Sequence, residues 1–145
     1  MRVVLLARCV LAICLACLWL EAAPPETART IWDGVYTDEQ AKRGRPLYDQ
    51  HCSSCHGASL EGGESAPALA GGEFLSGWDG LTVGDLFERI RTTMPQNKPR
   101  SLSREVNADI IAFLFSANQL PAGKTELPSA AEVLKEIRIV ANKPK

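Results

Sequence analysis

The stretch that most constrains this chain is His51-Cys52-Ser53-Ser54-Cys55-His56, which packs a Cys-x-x-Cys-His run into consecutive positions. On one helical turn, residues three apart share a face, so Cys52 and Cys55 point the same way with His56 one step further on. Two thiols placed like this can form thioethers with the two vinyl groups of one porphyrin, while the imidazole lies beneath the iron; the spacing is the attachment signature of a c-type haem. Other uses of a cysteine pair fit less well. A closed zinc site wants four ligands, and once the leader described below is removed the chain offers this pair with His51 and His56 crowded beside it. A thioredoxin-like redox pair stays open on spacing alone, but the βαβ pattern expected around it is missing.

Three further cysteines, Cys9, Cys14 and Cys17, lie in a stretch that reads as an export leader. Arg2 and Arg8 supply its positive start, and Val10 to Leu20 is an apolar run too short for a stable membrane span. Residues 1–22 are expected to be removed after Ala22, with Ala23 as the second site, which makes the protein exported and periplasmic. Lipoprotein processing at Cys14 or Cys17 is the alternative, although neither follows a convincing lipobox. Cleavage leaves Cys52 and Cys55 as the only thiols, three residues apart, and a disulfide framework is thereby excluded. No transmembrane span is expected in the mature chain.

The remaining length suits one modest domain. Sixteen Lys and Arg against seventeen Asp and Glu give a formal charge of -1, which offers no basic excess for nucleic acid and no obvious steering patch. Residues 23–36 show no helical period and read as an extended N-terminal segment anchored, if at all, by Trp32 and Tyr36. Thr37-Asp38-Glu39-Gln40 has the form of a capping box opening a helix towards Gln50, with Ala41, Gly44 and Tyr48 on one stripe. Pro46 within it predicts a kink or a late start. Thr82-Val83-Gly84-Asp85 opens a second helix, along which Val83, Leu86, Phe87, Ile90 and Met94 recur at apolar helical spacing. Ser103 caps a third, with Val106, Ile110, Phe113, Leu114 and Ala117 on its apolar face, and the stripe bearing Gly44 and Tyr48 is the available partner. Ser129-Ala130-Ala131-Glu132 looks like a cap for a short helix to about Ile137, in a C-terminal extension, 119–145, expected to pack on the surface.

Three more residues are candidates for a haem pocket. Met94 is the only methionine beyond the initiator. A Met on an apolar stripe is ordinarily core packing. A six-coordinate iron needs a second axial ligand, however, and His51 is too close to the attachment turn to reach the opposite face, so Met94 is expected to be the distal ligand. Pro95 holds it out of helical geometry. Pro67, in the glycine-rich loop after His56, has a carbonyl that could accept the second ring N–H of His56, though a loop proline also serves as a plain turn former. Trp78 could wall the pocket and offer its indole N–H to a haem propionate, or simply be buried.

Together these residues resemble the small bacterial class I (monohaem) cytochrome c family over about Thr37 to Asn118. That resemblance implies an all-α cytochrome c fold, three core helices and loops wrapped around one covalently bound haem, in a domain spanning 37–118. It implies haem c and its iron as cofactor, Cys52 and Cys55 as the thioether residues, and His56 and Met94 as proximal and distal ligands. Pro67 matches the family proline that orients the proximal histidine, Trp78 is similar to a tryptophan near a propionate, and Thr92 resembles a threonine often found before the methionine. Gly44, Tyr48 and Phe113 resemble the contact residues of the first and last helices. Pro46 departs from the usual pattern of the first helix.

The function expected is a one-electron carrier between periplasmic or membrane redox partners, met through a small transient interface. A periplasmic dehydrogenase as donor and a terminal oxidase as acceptor are what the family suggests. The rival is a haem-based gas or redox sensor with a displaceable distal ligand. An enzyme is not expected, because both axial sites are filled and no nucleophile and base sit together.

Overall fold

The computed structural model describes residues 29–144 apart from Ser65, so the expected leader lies outside the described residues. The fold is all-α: among the described residues there are six helices, no strand longer than an isolated bridge, and no helix long and apolar enough to cross a membrane.

Helix α1 is Asp38–His51. Thr37 caps it in extended geometry, its Oγ1 accepting the Gln40 N–H at 3.1 Å. The reciprocal half of the expected capping box is absent. Gln40 instead grips the backbone of Leu127, donating to its carbonyl at 2.9 Å and accepting its N–H at 2.7 Å. Burial decides this: a Gln side chain that is 2 % exposed must satisfy both ends of its amide, and Leu127 offers both partners at once. The late start that Pro46 suggested does not occur, since α1 opens at Asp38 and runs through the proline. Lys42, whose carbonyl loses its helical donor, and Pro46 are both exposed, so water can take the freed acceptor.

After α2, Ser53–His56, a glycine-rich loop leads to α3, Gly72–Trp78, then α4, Val83–Thr93. The Thr82 and Asp85 capping box is complete in both directions. Helix α5, Arg104–Ala117, begins at the Ser103 cap and is apolar over much of its circumference. It crosses α1 at Gly44, where a Cβ would overlap the Asp109 carbonyl and crowd Phe113. Only glycine permits this approach. Tyr48 and Phe113 then meet with ring centroids 5.3 Å apart, and Arg45 lies 5.2 Å over the Phe113 ring.

The segments flanking these helices lie deeper than their sequence suggested. Ile31, Val35 and Tyr36, from the stretch read as an extended N-terminal segment, are fully buried, as are Leu127, Leu134, Ile137 and Ile139 of the C-terminal stretch read as packing on the surface. They are joined to each other: Ile31 N–H bonds to Arg138 O at 3.0 Å, Arg138 N–H to Arg29 O at 2.7 Å, and Trp32 Nε1 to Val140 O at 2.8 Å. Arg138 also bridges Thr82, so one residue ties both the N-terminal segment and the entry to α4. Each segment alone lacks the periodicity of a strand; pairing across the chain satisfies their backbone groups. Helix α6 is only Ala131–Leu134 and ends three residues before Ile137. Its cap position is Ala130 rather than Ser129, because the Ser129 hydroxyl bonds Glu105 at 3.2 Å.

Candidate haem site

The proximal half is assembled from the end of α1, all of α2 and the loop behind it. Cys52 closes α1, its N–H on Tyr48 O at 2.8 Å, and opens α2 by accepting both Cys55 N–H at 3.1 Å and His56 N–H at 3.0 Å. The expected turn is therefore formed. Cys52 is partly buried and Cys55 exposed. Burial, with Cys55 beside it, pushes the Cys52 thiol up to about 11. Redox and metal-binding cysteines work as thiolates in electropositive surroundings that lower their pKa. This cysteine has the opposite environment, suited to a neutral thioether. Among the described residues no three His, Cys, Asp or Glu side chains converge as a metal-binding group, so the zinc alternative has no cage.

His56 is 9 % exposed. Its Nδ1 lies 2.8 Å from Pro67 O. A carbonyl can only accept, so Nδ1 carries the proton and Nε2 keeps its lone pair free for a metal. The loop bearing Pro67 is held at several points. Tyr48 Oη donates to Gly57 O at 2.6 Å, and Gly62 N–H bonds back to His56 O at 2.8 Å. Gly62 has φ +75, and a Cβ there would overlap the backbone of Pro67 and Ala68. At the far end Asn118 takes the Gly71 N–H at 2.9 Å and donates to Leu69 O at 3.0 Å. Burial also raises the Tyr48 phenol, to about 12. Sequence patterns gave Tyr48 a packing role only and Asn118 none. A hydroxyl at the end of an apolar ring and an Asn just past a helix are too common to single out, and their partners are distant in the chain.

The distal half is simpler. Met94 follows α4 with φ -120 and ψ 151, its N–H on Ile90 O at 2.9 Å, and its side chain is only partly buried. Thr92 Oγ1 turns back to Glu88 O at 2.5 Å. Beyond Pro95 the loop returns to α5, where buried Asn107 donates to Leu102 O at 3.3 Å and Ser103 O at 2.7 Å. Trp78 ends α3 and is partly buried. Leu69, Leu75, Trp78, Ile90 and Leu102 all pack on the core with part of their apolar surface uncovered. They flank Pro67, Met94 and the distal loop in sequence. A free imidazole nitrogen, two thiols on one turn and a set of half-covered apolar side chains fit a haem, which is flat, apolar and iron-centred.

Fold and site together define a small c-type cytochrome. The family described as cytochrome c oxidase, cbb3-type, subunit III matches residues 39–114, and the chain belongs to that family. It is a monohaem class I cytochrome c with covalently bound haem c, working in electron transport. It is similar to the cytochrome bc1 complex cytochrome c subunit of Corynebacterium efficiens, 30% identical over 95 residues, which cover 63% of this chain and 30% of that one. The corresponding subunit of Corynebacterium diphtheriae is 32% identical over 94 residues, or 62% of this chain and 31% of its own. The chain thus spans less than a third of the length of these relatives. Among solved structures, the sulfane dehydrogenase SoxCD from Paracoccus pantotrophus superposes with a TM-score of 0.51 and 26% identity, covering 82% of this chain and 66% of that one.

Proposed function

We propose that the protein is an exported one-electron carrier in which Cys52 and Cys55 hold the haem through thioethers and His56 Nε2 and Met94 Sδ are the axial ligands. The observation that carries this reading is the His56 Nδ1 to Pro67 O hydrogen bond of 2.8 Å, made by the histidine that ends the turn bearing both cysteines. A haem bound there would supply one-electron chemistry, with His56 and Met94 as the residues that would hold its iron. The protein's part is to orient and to exclude water. Pro67 O fixes the imidazole plane and raises its basicity, and burial of His56 keeps competing ligands away. The Met94 thioether is soft and neutral, which favours the ferrous state. With both axial positions taken by the protein there is no place for a substrate, so the chain acts as a carrier rather than an enzyme. Export supports covalent attachment, because a tethered haem is not lost to dilution. A periplasmic dehydrogenase and a terminal oxidase are partners of the right kind; the bc1 cytochrome c subunits and the SoxCD likeness support a role beside larger redox complexes.

The test is Met94→Leu in cells able to mature c-type cytochromes. Haem should remain on the chain through denaturation, while the ferric thioether charge-transfer band disappears and the potential falls, on the order of 0.1 V or more within the ~0.8 V span that axial ligands command. An unchanged band and potential would remove Met94 from the iron.

A further inference from the structure

Helix α4 is gripped at one end. Its entry, residues 79–84, is met along its length by the C-terminal segment. Asp79 Oδ1 accepts the Ala141 N–H at 2.8 Å, Gly80 N–H bonds to Ile139 O at 3.0 Å, Ile139 N–H to Leu81 O at 2.8 Å, and Val83 N–H to Ile137 O at 2.9 Å. At Gly84 the first turn of α4 lies against α6: a Cβ there would stand 2.9 Å from Lys135 N and 3.0 Å from Ala131 O, so any larger side chain forces the two backbones apart. The C-terminal segment is braced from behind, where Arg138 N–H bonds to Arg29 O and Trp32 Nε1 to Val140 O.

The exit of the helix is held far less. Val83, Leu86 and Phe87 in its first half are buried, whereas Ile90 and Met94 are only partly so. From residue 88 to 101, every side-chain hydrogen bond and every loop backbone bond among the described residues stays within that stretch: Glu88 with Arg91, Met94 N–H with Ile90 O, Lys98 N–H with Pro95 O. Met94 lies ten residues on from Gly84, about 15 Å along the axis at about 1.5 Å per residue. A hydrogen-bonded helix moves as one body over that length, so a tilt of about 4° at the entry carries Met94 by about 1 Å. Metal–ligand bonds tolerate only a few tenths of an ångström. The grip on residues 79–84 therefore governs the far end.

We propose that the C-terminal segment 131–141 is a positioning clamp for the distal ligand: by fixing the entry of α4 it sets where Met94 stands and how readily its thioether gives way to an outside ligand. The inference rests on the axial ligation proposed above. Residues 131–141 lie beyond 39–114, the stretch that matches the family, so the clamp is an addition to the haem-binding part of the chain. Its residues act through α4. Loosening them lowers the free energy of a local opening, in which Met94 leaves the iron while the rest of the fold stays closed.

The test titrates the ferric holoprotein with imidazole, which takes the distal position only when Met94 leaves it, and follows loss of the thioether charge-transfer band. Gly84→Val drives the first turn of α4 off Lys135 and Ala131 and should tighten imidazole binding by about 10-fold, as the open population grows. Gly34→Ala is the control. It crowds a different crossing, with Ala122 and Gly123, at φ +63, and should lower stability in denaturant while leaving the imidazole affinity within about two-fold. If Gly84→Val does not accumulate, Asp79→Ala is read in its place: it removes one tie from an exposed residue and should tighten imidazole about two-fold. An unchanged affinity in the variant read overturns the inference. So does equal tightening in Gly34→Ala, since displacement then follows overall stability and not the clamp. A parent lacking covalent haem or the charge-transfer band defeats the ligation reading; covalent haem with the band present and an imidazole affinity indifferent to the clamp defeats only the clamp.

Discussion

The two halves of the haem site are built to different standards. On the proximal side His56 is buried, its tautomer is set by Pro67, and its loop is stitched by Tyr48, Gly62 and Asn118 over a separation reaching from α1 to the end of α5. On the distal side Met94 is partly exposed, held by one backbone bond to Ile90, and followed by a loop whose main side-chain tie is Asn107. The proximal half is thus fixed by many contacts within the chain, and the distal half by few. On the proposed ligation, preorganisation is concentrated at His56, and Met94 has the looser setting.

The largest effects are expected at His56 and Met94. His56→Ala should abolish accumulation of haem-stained protein, by more than 10-fold, whereas Met94→Leu should leave the band near parental intensity. Equal losses would mean that the two halves are equally needed for assembly. Next comes the proximal loop. Gly62→Ala forces a Cβ onto the Pro67 and Ala68 backbone at a positive φ, and should destabilise the protein by about 1–3 kcal/mol in denaturant unfolding. Since Pro67 O would be displaced from His56, the imidazole becomes less basic and the potential should rise; a destabilised protein with unmoved potential would uncouple loop from ligand.

Tyr48 sharpens the contrast through pH. Its folded pKa, about 12, exceeds the ordinary value of 10, so the neutral phenol is the form the fold protects. The stability it contributes is complete below pH 10 and is lost as pH rises from there towards 12. Tyr48→Phe should flatten that alkaline loss and cost about 1 kcal/mol at neutral pH, with faster amide exchange in the loop after His56. A phenolate titrating in the ordinary range in the folded protein would contradict this. The smallest effect belongs to the distal tie. Asn107 Oδ1 is buried without a partner, while its Nδ2 makes two bonds. Asn107→Leu relieves the first and forfeits the second, so the net change should stay within about 1 kcal/mol. A loss of several kcal/mol would show the distal loop to be as tightly built as the proximal one.

Reading the chain alone was most successful where one short motif contains its own chemistry. The Cys52 to His56 run, the Thr82 cap, and the Met94-Pro95 stop each depend on neighbours within about four residues, and periodicity could report them. Gly44 was also legible, because a glycine on an otherwise apolar helical stripe implies a close crossing. Patterns misled where a polar side chain had a nearer and a farther partner. Gln40 and Ser129 both looked like capping residues and were drawn instead to Leu127 and Glu105.

The order of residues alone dictates the Cys52 to His56 turn and the three core helices. These are properties of adjacent residues and their spacing. Which nitrogen of His56 is free, that Tyr48 and Asn118 brace the loop carrying Pro67, and that the two terminal segments pair at exposed Arg138 while Ile31, Ile137 and Ile139 enter the core are features of the folded chain alone. Each of those depends on groups brought together by chain closure, and the backbone donors and acceptors that make the contacts are the same at every residue, so nothing in the order of side chains marks them in advance.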